Sequence, residues 1–345
     1  MAFVLASLAA GFVPVIAFLA GLQLMDSFAL VGRRALLGSL AAGAAAAGLA
    51  YAGNELLLGP VGAGMWLIVH VLAPMLEEAL KASVVVWLLR RERVGFAVDA
   101  AIHGFAVGTG FGLVENLDVA REFADQGLAF WLARGFGTAV LHGCTTAIFA
   151  IVAQGLSERR GAIGARELLP AWLLAAGLHA LFNLGARDAL LTAALVVTAL
   201  PLLMVLTFER SERATRAWLG TGLDGEVAAL EQILEGQVAG TRIGAYLETL
   251  RERFSGAVVA DMLCLLRIHL ELSIRAKGML IARSVGVDLP PDASVRANLE
   301  ELRFLERSIG PTGQLAVLPL RRTSRRDLWQ VMLLSRRVHS RKGPC

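Results

Sequence analysis

Between His70 and Arg93 the chain reads HVLAPMLEEALKASVVVWLLRRER, apolar enough to cross a membrane yet holding two adjacent carboxylates, Glu77 and Glu78, and the ammonium of Lys81. A charge near the bilayer centre costs about 2.5 to 3.5 kcal/mol even on the mildest insertion scale, so three this close together must pair or do chemistry. On a helix Lys81 is i+4 from Glu77 and i+3 from Glu78, within reach of both. His70, Pro74, Glu77 and Lys81 share one stripe, and Pro74 leaves the carbonyl of His70 without its α-helical donor. That face must point into protein.

Three further apolar stretches carry groups of the same kind. Phe111, Glu115 and Asn116 lie in FGLVEN, His142 in LHGCTTA, and His179 with Asn183 in HALFN. Counted inward from the span ends nearest Arg90, Glu78, Glu115, His142 and His179 all lie roughly 17 to 27 Å deep at about 1.5 Å per residue. Four helices thus bring carboxylates and imidazoles to one layer.

Peptide hydrolysis in such a layer needs a water, a base for its proton, and donors or a metal for the developing oxyanion. Glu77 or Glu78 is placed to act as base and then acid. Glu115, His142 and His179 are of the types that hold zinc with one position left for water. Alternatively the imidazoles activate water together with the glutamate, while His179 and Asn183, one turn apart, donate to the oxyanion. Two other classes fit the same layer: a transporter or proton pathway, since buried ionisable groups also mark ion routes, and a non-catalytic scaffold. Lys81 reads as a counter-ion, and His70 as bonded to a neighbouring helix. His103 stands apart from the layer, and Asp99 and Asp118 read as solvated span ends. Cys144, two residues from His142, points away from it on a helix.

The order Glu-Glu-x-x-Lys (Glu77, Glu78, Lys81), Phe-x-x-x-Glu-Asn (Phe111, Glu115, Asn116), a helix-borne His142, then His-x-x-x-Asn (His179, Asn183) resembles the PrsW family of intramembrane proteases, which is related to the CAAX prenyl endopeptidase group. The likeness covers about residues 65 to 185. It implies an intramembrane endopeptidase in a bacterial-type plasma membrane, cutting membrane-protein substrates of the anti-sigma-factor type near the membrane boundary. Its implied site residues are Glu77, Glu78, Glu115, His142, His179 and Asn183. Kinship with the CAAX endopeptidases leans toward a glutamate-centred mechanism and leaves zinc open.

The elements that must position these groups follow from the rest of the chain. Of 345 residues 56% are hydrophobic and 36 are glycine, with mean hydropathy +0.62, a membrane composition. Seven stretches are long enough to span, near 3–24, 35–53, 62–89, 97–118, 129–156, 168–185 and 189–208. The N-terminal one lacks the positive leader of a cleaved signal and reads as an anchor. Arginines follow the first, third, fifth and seventh spans, which puts the N-terminus outside and the tail in the cytoplasm. Gly104, Gly108 and Gly112 make a small-residue face suited to close helix contact.

The expected fold is therefore all-α: a polytopic transmembrane bundle over residues 1–208 and a cytoplasmic helical domain over 209–345. In that domain Asp224 and Asp292 read as helix stops and caps, and GPTGQLAVLPL after Ile309 as a loop or short strand pair. Eight cations between Arg321 and Lys342, against Asp327, suit anionic lipid. Aromatic residues barely interleave with them, which argues against nucleic acid. The three cysteines, Cys144, Cys264 and Cys345, have neither disulfide nor metal-ligand spacing.

Overall fold

The computed structural model describes residues 2–58, 64–123, 125–185, 189–290, 293–321, 329 and 333–334. Its regular elements are helices, with no strand among the described residues. By internal contact the chain divides into two compact units, Met1–Glu212 and Arg213–Cys345.

The first unit begins with α1 (Ala2–Leu24) and α2 (Arg33–Gly53), which ends in a π turn, Asn54–Leu58. A short α3 (Met65–Leu67) and a second π turn, Ile68–Leu72, lead into α4 (Ala73–Arg90). Then come α5 (Ala97–Phe123), α6 (Leu128–Leu132), a π stretch over Ala133–Ala139, α7 (Val140–Arg160), α8 (Ala165–Gly185) and α9 (Ala189–Leu234), whose residues after Glu212 belong to the second unit. Among the described residues four stretches are long and apolar enough to cross a membrane: Arg33–Leu56, Ala97–Phe123, Leu128–Arg160 and Ala165–Gly185. The spans expected near 3–24, 62–89 and 189–208 are not among them; α1 offers a shorter apolar run, Ala9–Leu24, and α4 is interrupted by its own charges.

The centre of this unit is α5, buried from Val98 to Gly112. Its glycines let neighbours approach to backbone distance. A Cβ at Gly108 would lie 2.0 Å from the carbonyl oxygen of His142, and one at Gly43 of α2 would lie 1.9 Å from that of Val107. No side chain fits either seam, and van der Waals contact along such faces is what drives helix association in lipid. Because Gly108 and Glu115 are seven residues apart they share a face of α5, so the seam sets His142 beside the same stripe as Glu115.

The entry to α4 is shaped by Pro74. In the π turn before it Ala73 N–H donates to Ile68 O, five residues back. In that register the carbonyl that Pro74 leaves without a donor belongs to Val69, one residue earlier than an α-helical count gives. Asn183 of α8 supplies the missing donor, Nδ2 to Val69 O at 3.0 Å. His70 stays with its own segment: Nδ1 lies 2.8 Å from Trp66 O and its ring stacks on Trp66.

Asp99 is not a solvated span end. It is buried, and its carboxylate accepts from the backbone N–H groups of Gly95, Phe96 and Ala100, capping the start of α5. Asp118 is the exposed one, half open to solvent and paired with Arg121.

The second unit contains α10 (Arg242–Leu250), α11 (Gly256–Ser284) and α12 (Ala293–Arg321), packed around Met262, Leu265, Leu272, Leu302 and Val317. Thr241 and Ser255 cap α10 and α11 with their hydroxyls. Asp224 lies inside α9 and caps nothing, and Asp292 falls outside the described residues. GPTGQLAVLPL is helical. The chain kinks at Gly310, whose φ of 68° suits glycine, and Pro311 opens the next run, where its missing N–H costs nothing. The basic segment from Arg321 to Lys342 lies largely outside the described residues.

Candidate active site

The buried charges of α4 organise the site. Lys81 is fully buried and Glu78 nearly so, with Nζ 2.6 Å from Glu78 Oε1. That oxygen also accepts from Thr145 Oγ1 at 3.0 Å and faces His179 Nδ1 at 2.9 Å. Lys81 Nζ lies 2.9 Å from His142 Nδ1 and sits over the Phe111 ring. An ammonium can only donate, so His142 carries its proton on Nε2 and gives it to Glu115 Oε2, 2.5 Å away. The other oxygen of Glu115 accepts from Arg134 at 2.8 Å. One net thus runs from Arg134 through Glu115, His142, Lys81 and Glu78 to His179.

Glu77 stands apart from the net. Its nearest basic neighbour among the described residues is His179, with Nε2 3.9 Å from Glu77 Oε2, and its side chain keeps 17% of its exposure. It faces a cavity of about 320 Å³ between α2, α4 and α5, which Glu115 and Phe111 also line, with Tyr51, Asp118 and Arg121 among its walls. Glu78, one residue on and about 100° around the helix, faces inward instead.

The residues expected from sequence therefore divide. Glu77, Glu78, Glu115, His142 and His179 come together, and the rings of His142 and His179 meet edge to face at 4.8 Å. Glu115 was expected with the two histidines as a metal set, but here its oxygens are engaged by Arg134 and His142. The carboxylate that groups with the histidines is Glu77: one ligand atom each from Glu77, His142 and His179 all lie within 4.8 Å of one another. Asn183 spends its amide on Val69 O. Cys144 lines a separate apolar cavity with Phe18, Phe105 and Met204.

The donor set fits a metal on two grounds, with Lys81 Nζ, 2.9 Å from His142 Nδ1, having to move aside for the ion. Each imidazole has a carboxylate against one nitrogen, His142 with Glu115 and His179 with Glu78, the arrangement that orients metal-binding histidines. With Glu77 ionised, three carboxylates, Glu77, Glu78 and Glu115, stand against two cations, Lys81 and Arg134, and a further cation would offset the excess negative charge.

Sequence reasoning passed over Arg134 and Thr145. An arginine inside an apolar span is as strong a signal as the paired glutamates, and Arg134 lies within 129–156. Thr145 gave none, because hydroxyls in membrane helices ordinarily bond back to their own backbone.

Carboxylates and imidazoles thus gather in the interior of an apolar helix bundle beside a cavity of about 320 Å³, groups of the kind that activate water for hydrolysis. Searches of the curated proteins and of the solved structures return no match. A family model does match, the PrsW family intramembrane metalloprotease, over residues 27–208, and the chain belongs to that family. It is accordingly an integral membrane peptidase.

Proposed function

We propose that the first unit cleaves membrane-protein substrates, of the anti-sigma-factor type that the family resemblance implies, at the floor of the cavity between α2, α4 and α5. The observation that carries this reading is the convergence of Glu77, His142 and His179 beside that cavity. Those three residues would hold the metal, and zinc bound there would polarise water and the scissile carbonyl. Glu78 accepts from His179 Nδ1, which leaves the Nε2 lone pair turned toward Glu77. Lys81 and Thr145 hold Glu78 in that role, and Glu115 does the same for His142. Asn183 acts on the shape of α4 and not on the oxyanion.

One observation favours a second reading. Both nitrogens of His142 are already engaged, by Lys81 and by Glu115. Without a metal, Glu77 takes the proton of the attacking water and returns it to the leaving amine, with His179 Nε2 completing the water's site. Elemental analysis of the purified full chain separates the two. About one equivalent of zinc, lost together with cleavage in His179→Ala, supports the metal reading; metal-free protein that still cleaves supports the glutamate.

In the same proposal residues 1–208 form the protease domain with seven spans, the N-terminus lies outside, and residues 209–345 lie in the cytoplasm. The support is the alternation of arginine-rich and acidic connections. The basic C-terminus would then meet the anionic leaflet.

A further inference from the structure

Arg134 belongs to none of the motifs of the family resemblance, yet its guanidinium joins the site to the packing of α1. It lies in the π stretch Ala133–Ala139, where bonding five residues back instead of four re-aims the helix, and such bulges recur at functional sites. Its Nε donates to Asn116 Oδ1 at 2.8 Å and its Nη2 to Glu115 Oε1 at 2.8 Å. Asn116 is fully buried and passes the connection on, Nδ2 donating to Gly11 O of α1 at 2.8 Å. The backbones on either side leave no play. A Cβ at Gly135 would lie 1.9 Å from Ala10 O, and one at Gly11 would lie 2.7 Å from the buried Trp131 ring.

We propose that Arg134 is a positioning residue for the hydrolytic site. Its planar fork spans two adjacent side chains of α5. One branch is fixed to α1 through Asn116; the other turns Glu115 so that its remaining oxygen meets His142 Nε2–H. A carboxylate free to rotate on a three-bond stem would share that proton with water from the cavity it lines. Lys81 already sets the tautomer of His142; Glu115, held by the guanidinium, keeps the ring in one orientation against His179 and its Nε2–H on the carboxylate. The inference rests on His142 being part of the site and adds how that imidazole is aimed. Lysine would not replace the arginine, because an ammonium is a single point of charge and the geometry here needs two donors at a fixed angle.

The test is NMR of the full chain in detergent with ¹⁵N-labelled histidine, the His142 signals being assigned by their loss in His142→Gln. The unaltered protein should show a downfield Nε2–H proton protected from exchange. In Arg134→Met that proton should move upfield and exchange with water, and Arg134→Lys should give an intermediate position. An unmoved, protected signal in a folded Arg134→Met protein would overturn the proposal. Where Arg134→Met does not fold, an unmoved signal in Arg134→Lys would overturn it equally.

Cleavage gives a second readout that a purely structural role would not produce. Outer partners of this kind contribute about 10- to 100-fold in activity. Arg134→Met should lose that factor in kcat with KM little changed, and lose nothing further in a Glu115→Gln background. Equal losses in both backgrounds would make Arg134 a packing residue. If instead His142→Gln leaves cleavage intact, the site assignment fails while the NMR result on Arg134 and His142 still stands.

Discussion

Each unit of this protein buries one lysine against one glutamate at 2.6 Å: Lys81 with Glu78 in the first, Lys277 with Glu226 in the second. Both ammonium groups lie over an aromatic ring, Phe111 and Trp218 respectively, and both carboxylates accept a hydroxyl, from Thr145 and Ser273. What differs is the surroundings. Lys81 and Glu78 continue into two imidazoles, two more carboxylates and a guanidinium, next to a cavity of about 320 Å³. Lys277 sits so close to Gly222 that a Cβ there would come within 2.6 Å of its Nζ. A buried ion pair is therefore no mark of a site by itself. Desolvating two charges roughly cancels their attraction, and such a pair mainly fixes how its helices dock. The site is marked by titratable groups beyond the pair and by space for a substrate.

That comparison is open to direct attack. Removing one partner of a buried pair costs about 3–5 kcal/mol by leaving the other charge alone. Lys81→Met should show this loss in thermal denaturation and should also abolish cleavage, because Glu78 and His142 both lose their donor. Lys277→Met should lower the stability of the second unit by a similar or smaller amount, since Glu226 is 19% exposed, and leave cleavage per folded molecule unchanged. A fall in specific activity beyond the fall in folded fraction would show the two pairs to be less different than described. Asn183→Ala should have the smallest effect, about 0.5–1.5 kcal/mol for the loss of an exposed hydrogen bond to the Val69 carbonyl. It should slow cleavage only as far as it destabilises; a selective loss of kcat would return Asn183 to the oxyanion.

The layer itself was legible in the sequence, because rise per residue converts spacing into depth and charges in apolar spans have few reasons to be there. The division of labour within it was not. Glu77 and Glu78 are neighbours in sequence but face a cavity and a core, and helix rotation depends on partners that spacing does not name. Glu115 has the right type for a ligand, and only the position of Arg134 shows its oxygens to be taken. The π turns have no residue signature of their own, so an α-helical count points to the carbonyl of His70, whereas the orphan belongs to Val69. Asp99 looked like a solvated end because capping depends on the path of the preceding loop. In the second unit glycine and proline at 310 and 311 suggested a break, and the structure makes them a kink between two helical runs.

The central claim is that the carboxylate on the cavity, Glu77, does chemistry while its neighbour Glu78 holds the histidine. It is tested most directly by comparing Glu77→Gln and unaltered protein, both inserted and folded in the membrane, on a single-span membrane protein that the unaltered protein cleaves. The expected result is a loss of about 10² to 10⁴ in rate with thermal stability retained, since a neutral amide of the same shape keeps the packing but neither takes a proton nor holds a metal. Full cleavage by Glu77→Gln would contradict the account.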